Sequence, residues 1–276
     1  MELTSALIGG SYDELNALFT IAFGPHIHNG YWYSREDNSS LEVALQRMND
    51  LIIEKLAAHK DWPVLDVGCG GGELMRQLAA RVGCQTVGIS NSHVQIDGAN
   101  EQARTVNIDD LAKFQFADAH SLPFPDAHFQ AVVTIESLCH IGDRPRALGE
   151  IARVLRPGGR IVVADFSEHA PMSQDAKNLL AENEFDFLQF DEIGKLFGDA
   201  GFEVLESVDL SWTTAKSQDA MLESIRLRRA ELLAHYSAEF IDAFEANWLN
   251  LSDAFEKYLS YSLVVGQKTN REPVGV

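Results

Sequence analysis

The segment Val64–Gly72 reads VLDVGCGGG and carries the strongest chemical signal in the chain. Gly68 and Gly70 allow a sharp backbone turn and keep side chains out of a ligand's way. The hydrophobic pattern sets them between a strand and a helix, and a helix start offers N–H groups that lack intrahelical partners. Such a turn suits several nucleotide sites, and it also serves as a plain structural turn. GCGGG, directly after the acidic Asp66, departs from the GxGxxG spacing that holds a pyrophosphate. Further polar residues close later apolar runs: Ser90, Asp118, Glu136 and Asp165. The three cysteines, Cys69, Cys84 and Cys139, are too few for a disulfide framework. No His/Cys/Asp cluster has ligand spacing, so no metal is expected. Cys139 has only His140 as a neighbouring cation in sequence and is expected to be inert.

These residues need elements to position them, and the sequence supplies an alternating set. Short apolar runs at Val64–Val67, Thr86–Ile89, Phe114–Ala117, Ala131–Ile135 and Arg160–Ala164 alternate with helical stretches at Glu73–Val82, Ser92–Val106 and Arg144–Leu155. That alternation predicts right-handed βαβ units and a parallel sheet. Ligands of such sheets sit outside the carboxyl ends of the strands, where all the polar residues above fall. Arg156–Gly159 reads as a tight turn into the next strand. Ahead of the sheet, residues 11–23 predict a helix with Ser11 as its N-cap and Gly24-Pro25 as its stop. The loop HIHNGYWY (His26–Tyr33) and a helix from about Ser40 to His59 follow. Beyond Phe166 the pattern predicts a helix and loop over 167–190, a helix at Asp191–Gly201 and an alternating strand at Phe202–Leu210. A long helix from about Ser217 to Glu256 and a last strand at Tyr258–Lys268 complete it. The stripe from Leu233 through Tyr236, Phe240, Phe244, Trp248 and Leu251 to Phe255 marks core packing along that helix.

In order and spacing, VLDVGCGGG, VGIS, ADA followed by LPFPD, FQAVVTIESLCHI and EIARVLRPGGRIVVADF closely resemble the class I S-adenosylmethionine-dependent methyltransferases. The resemblance is strong over residues 61–212 and weaker over HIHNGYW and the last strand. It points to small-molecule enzymes of bacterial natural-product pathways, with sarcosine-, tocopherol- and sterol-type enzymes further off. It implies a doubly wound α/β fold, with a mostly parallel seven-stranded sheet and one antiparallel late strand. A helical cap over 1–60 would precede a methyltransferase domain over 61–270, with lid segments at 167–190 and 213–257 and a tail at 271–276. The implied cofactor is S-adenosylmethionine. Asp66, Gly68 and Gly70 would hold its methionine end, which Ile135 and Glu136 would border. Ser90 stands where many members carry a ribose-binding carboxylate. A subgroup with GIS and a Gln five residues on shares that departure, so Ser90 and Gln95 would share the ribose hydroxyls. Asp118 would accept from the adenine amino group, and the Ala119 N–H would donate to the ring.

Methyl transfer from a sulfonium is an in-line displacement, and alignment and dehydration are much of the enzyme's task. A base is needed where the nucleophile carries a proton. His140 is the candidate, although members often show two adjacent histidines where this chain has Cys139-His140. Asp165 would orient His140 or bind an acceptor amine, and Glu136 is a further group for the acceptor. Tyr31 and Trp32 would either close over the methionine part or pack the cap, and His28 could face either ligand.

With 41 acidic against 22 basic residues the net charge is −19, which disfavours nucleic acid and anionic membranes as partners. Arg226, Arg228 and Arg229 read as a solvated helix face. The start MELTSALIGG lacks the marks of a signal peptide, and no apolar run approaches the roughly 18 residues of a membrane span. A reducing cytoplasm is therefore expected. The first helix could pack on a second subunit. The expected function is methyl transfer to a small, largely hydrophobic acceptor, at oxygen, nitrogen or carbon, in specialised metabolism. The alternative is a cyclase that binds S-adenosylmethionine without transferring its methyl.

Overall fold

The computed structural model describes residues 5–269. Two helices open the chain, α1 (Ser5–Phe23) and α2 (Leu41–Leu56). The alternating region follows as β1 (Val64–Val67), α3 (Glu73–Val82), β2 (Thr86–Ser90), α4 (His93–Thr105), β3 (Ala112–Phe116), β4 (Phe129–Ile135), α5 (Arg144–Val154) and β5 (Leu155–Glu168). Next come α6 (Gln174–Glu182), β6 (Leu188–Gln189), α7 (Phe190–Asp199) and β7 (Phe202–Asp209). The chain ends with α8 (Trp212–Leu227), α9 (Arg229–Leu232), α10 (Ala238–Tyr258) and β8 (Leu259–Lys268). Side-chain caps set several helix starts: Ser40 accepts from Val43 N, Ser92 from Gln95 N and Ser237 from Phe240 N.

The strands run in the order β3-β2-β1-β4-β5-β8-β7, and β8 is antiparallel to both of its neighbours. The two-residue β6 pairs with the end of β5, so the sheet has eight strands rather than seven. Both faces are buried, as a parallel sheet requires. Val64, Val133 and Val162 pack towards α2, α3 and α4, while Leu65, Val132 and Ile161 pack towards α5 and α7.

Several elements differ from the sequence reading. Arg156–Gly159 is a bulge inside β5, because the pairing jumps from Phe129↔Leu155 to Ala131↔Arg160. The long helix is broken between Leu227 and Ala238. Its stripe divides: Phe244 and Trp248 pack on Phe19 and Phe23 of α1, whereas Leu251 and Phe255 join the core under the sheet. Strand β7 is mostly exposed rather than alternating, since it lies at the sheet edge and bulges near Leu205. Arg226, Arg228 and Arg229 are paired with Glu245, Glu231 and Asp242. The expected tail at 271–276 lies outside the described residues.

Helix α1 begins well before Ser11, which is therefore inside the helix and not its N-cap. Leu18, Ala22 and Phe23 bury against Leu45, Met221, Ile225, Leu232 and Ile241. That apolar face is covered within the chain. Asp13 docks the helix on α4, accepting from Ser92 Oγ and from Val94 N at 3.3 Å, at a helix N-terminus where a negative charge is favoured. Gly9 is held so closely that an added Cβ would lie 2.1 Å from the Asn91 carbonyl oxygen. Gly9→Ala is expected to lift α1 from α4. Hydrogen exchange of α1 amides should then accelerate about ten- to hundredfold, the equivalent of an overpacking cost of ~1–3 kcal/mol, with α3 amides unchanged. Equal exchange in both helices of variant and parent would contradict this docking.

Candidate active site

The strand order reverses between β1 and β4, and a cleft opens at that point. It holds about 810 Å³ of free space, part of it open to solvent. The strand ends contribute Gly68 and Gly70 after β1, Ser90 with Gln95 after β2, Asp118 and Ala119 after β3, and Ile135 and Glu136 at β4. Ile8 and Tyr12 of α1 cover it, and His140 lies on its wall. Asp66 lines an adjoining hollow with His26 and His28, which shares Gly68 and Gly70 with the cleft.

Local geometry explains the residue types. Gly68 has φ +82°, and a Cβ there would strike Ser137 Oγ at 1.7 Å. Gly70 has φ +51° with nothing within 4 Å of its missing Cβ, so bare backbone borders the free space. Asp66 is buried and its Oδ1 has no partner; burial pushes its carboxyl up to about 7. Ser90 Oγ donates to Gln95 Oε1 at 2.8 Å and accepts from Ser92 N at 3.1 Å. Asp118 Oδ1 accepts from His120 N at 2.9 Å and lies 2.7 Å from His120 Nδ1. Glu136 takes a left-handed φ of 47°, and its Oε1 accepts from Asn29 N at 2.6 Å. Burial raises the Glu136 carboxyl to about 8.

His140 ends the turn Leu138–His140. Its Nδ1 lies 2.8 Å from the Glu184 carbonyl oxygen, which can only accept, so Nδ1 carries the proton. Nε2 therefore presents its lone pair, and Tyr12 Oη donates to it across 3.2 Å. Burial lowers the ring to about 4. Phe185 packs on the ring with centroids 4.7 Å apart.

Asp165 does not reach the His140 ring. Its Oδ2 accepts from Leu138 N at 2.8 Å and Cys139 N at 3.4 Å, and its Oδ1 accepts from Phe166 N at 2.8 Å. It holds the backbone of the turn that carries His140 and borders a separate hollow, not the cleft. Trp32 is buried and donates from Nε1 to Ser39 O, and Tyr31 packs on the core; neither lines the cleft. His28 is fixed between Asn29 O and Asn49 Oδ1. The sequence reading missed Tyr12, His120, Asn29 and Tyr261. His120 stands two residues after Asp118, which is the one local signal. Asn29 and Tyr261 sit beside Glu136, the Tyr261 hydroxyl facing its carboxyl, and the Asn29 side chain is buried without partners.

These residues fit S-adenosylmethionine. The unpartnered Asp66 oxygen suits an ammonium, the Ser90–Gln95 pair suits a diol, and Asp118 suits an exocyclic amine. An ammonium would draw Asp66 back to the carboxylate. Below pH 7 the free protein holds that proton, so cofactor affinity is expected to fall as pH falls through 7. Calorimetry in buffers of different ionisation heat should find about half a proton released from Asp66 per site at pH 7. Asp66→Asn should abolish this release and weaken binding by ~1.5–3 kcal/mol. Release that is unchanged in the variant would place the proton elsewhere.

Residues 65–163 match the family described as a methyltransferase domain. The chain is 32% identical over 266 residues to the 27-O-demethylrifamycin SV methyltransferase of Amycolatopsis mediterranei (strain S699), covering 95% of this chain and 96% of that protein. It is 28% identical over 263 residues to the (+)-O-methylkolavelool synthase of Herpetosiphon aurantiacus, covering 93% and 92%. Among solved structures, that of the 4+2 cyclase SpnF matches with a TM-score of 0.83 at 28% identity, over 98% of this chain and 97% of that one. A Rossmann-like sheet, a glycine turn at its switch point and full-length relatives converge, and the chain belongs to the class I S-adenosylmethionine-dependent methyltransferases.

Proposed function

We propose that this enzyme methylates a hydroxyl oxygen of a bulky, largely hydrophobic natural product, with His140 as the base. The observation that carries this reading is the tautomer of His140, fixed by the Glu184 carbonyl so that Nε2 offers its lone pair at the cleft. When bound, S-adenosylmethionine supplies an electrophilic methyl group on a sulfonium. Asp66, Gly68 and Gly70 would hold its methionine end, Ser90 and Gln95 its ribose, and Asp118 and Ala119 its adenine. Glu136 ties the His26–Gly30 loop to the end of β4 and gives the acceptor side a polar wall. Asp165 acts on His140 through the backbone of its turn.

The weak basicity of His140 suits this chemistry. A hydroxyl oxygen that is gaining a third bond becomes a strong acid, so an imidazole of low pKa can take its proton. A ring that stays neutral also does not repel a cationic sulfonium. Phe166, Phe185, Phe187, Phe255 and Tyr261 form an aromatic wall with ring centroids 4.8 to 5.9 Å apart. These rings belong to the core behind His140 and do not line the cleft; through Phe185 they pack on the His140 ring and keep it desolvated. The full-length relatives support the acceptor class, since one is named for a demethylrifamycin and another for an O-methylated kolavelool. A reducing cytoplasm suits the free thiols Cys69, Cys84 and Cys139. The likeness to a 4+2 cyclase over nearly the whole chain favours a second reading, cyclisation without methyl transfer.

Labelled-methyl S-adenosylmethionine and a panel of hydroxylated polyketides and terpenoids, read by mass spectrometry, separate the two. A product heavier by one labelled methyl supports the transferase, and consumption without gain of mass supports the cyclase. His140→Ala is expected to lower turnover roughly 10²–10⁴-fold with cofactor affinity retained. Because the neutral ring is the base and its pKa is about 4, turnover at saturating cofactor should be flat from pH 8 down to about 5 and fall only below that. An inflection near 6.5 that disappears in the variant would show an ordinary, solvated histidine instead.

A further inference from the structure

We infer that Tyr12, carried by the N-terminal helix, is the residue that meets the acceptor hydroxyl and passes its proton to His140. The inference rests on the reading of His140 as base. Both ring nitrogens of His140 are occupied, Nδ1 by the Glu184 carbonyl and Nε2 by the Tyr12 hydroxyl. No acceptor reaches Nε2 directly while Tyr12 is in place. Tyr12 spends its proton on Nε2 and keeps its oxygen lone pairs for a donor from the cleft, which it lines together with His140 and Glu136.

The tyrosine is clamped for this task by its neighbours in sequence. Asp13 fastens the helix to the start of α4 through Ser92 and Val94. Ser11 Oγ donates at 2.6 Å to Glu184 Oε1, a side chain of the same residue whose carbonyl sets the His140 tautomer. The Tyr12 ring meets His140 edge-on with centroids 5.7 Å apart and lies 5.9 Å from Phe19. Burial, then the neighbouring Cys139, Glu136, Glu184 and Asp165, hold the phenol well above its ordinary range, so no tyrosinate accumulates. As the bond from oxygen to the methyl carbon forms, the carbon–sulfur bond breaks and leaves its electron pair on sulfur. The hydroxyl proton moves to Tyr12 Oη while the phenolic proton moves to His140 Nε2. The imidazolium then loses one proton to solvent, and Tyr12 is again a neutral phenol. Proton removal is thereby tied to closure of α1 over the cleft.

Tyr12→Phe removes the hydroxyl and keeps the ring. In the free protein, the ¹⁵N signal of His140 Nε2 is expected to move in Tyr12→Phe, reporting loss of its donor, while Nδ1 stays protonated. With the acceptor found by the labelled-methyl panel, kcat should fall by roughly tenfold or more while the KM for S-adenosylmethionine is retained. The double variant Tyr12→Phe/His140→Ala should be no slower than His140→Ala alone, as groups in series require. A His140 signal that does not move overturns the relay with no acceptor needed. Slow His140→Ala with normal Tyr12→Phe also overturns it but leaves the base standing, whereas normal turnover in both removes the base and the relay together.

Discussion

A parallel sheet whose strand order reverses between β1 and β4 sends its crossover helices to opposite faces, and none of them covers the carboxyl ends of those two strands. The cleft is a consequence of that topology before any side chain is considered. What remains open must be closed by something outside the βαβ repeat. The chain uses its own first helix, whose apolar face is held by α8, α9 and α10 and whose Asp13 caps α4. Helices α8, α9 and α10 and the N-terminal helix are therefore one packing unit, and α1 is the member of it that lines the cleft, through Ile8 and Tyr12.

Unfavourable local energetics gather at the same place. Asp66 Oδ1 and the Asn29 amide are buried without partners. Each such group costs about 1–3 kcal/mol. Glu136 adds a left-handed backbone conformation, a strain of order 1–3 kcal/mol for a residue with a side chain. Burial also moves the acidic groups up and His140 down, towards their uncharged forms. An apolar core on both faces of the sheet offsets these costs. Thr134, Ser167 and Thr214 hold unpartnered hydroxyls elsewhere, but Asp66 and Glu136 border the cleft and its adjoining hollow, where a bound ligand can supply the missing bonds.

The sequence made the sheet side legible and the lid side only partly so, and the difference has a physical cause. Gly68, Gly70, Ser90, Asp118 and Glu136 each follow a strand directly, so strand periodicity alone places them at one edge. His140 was legible for the same reason, four residues past Glu136. The Tyr12–His140 bond joins residues 128 positions apart, and no local pattern announces it. Ser11 looked like an N-cap, yet the helix begins before it, and the nearby Asp13 accepts from the start of α4 instead of its own helix. Trp32 read equally as cap packing or cofactor cover, and its burial against Gly30 and Ala44 settles it as packing. Asp165 shows the opposite failure. It lies inside β5, which continues to Glu168, and not at the strand end, and its carboxylate finds backbone N–H groups nearer than any ring nitrogen.

The contrast between transfer and cyclisation narrows to the same lid. A TM-score of 0.83 with a 4+2 cyclase means that the sheet, the glycine turn and the cleft they form are compatible with either outcome. A reaction that only rearranges bonds needs shape, but a hydroxyl that accepts a methyl must also lose a proton, in a space from which water has been removed. In this chain a histidine of fixed tautomer, the proposed base, stands on the wall of that space, and the helix that covers the space carries the hydroxyl group bonded to it. On the proposed relay, covering the cleft and removing the proton fall to the same residues, Ser11 to Asp13 and Glu184. A cleft that served only as a mould would have no need to hold a neutral imidazole at one end of a hydrogen-bonded path.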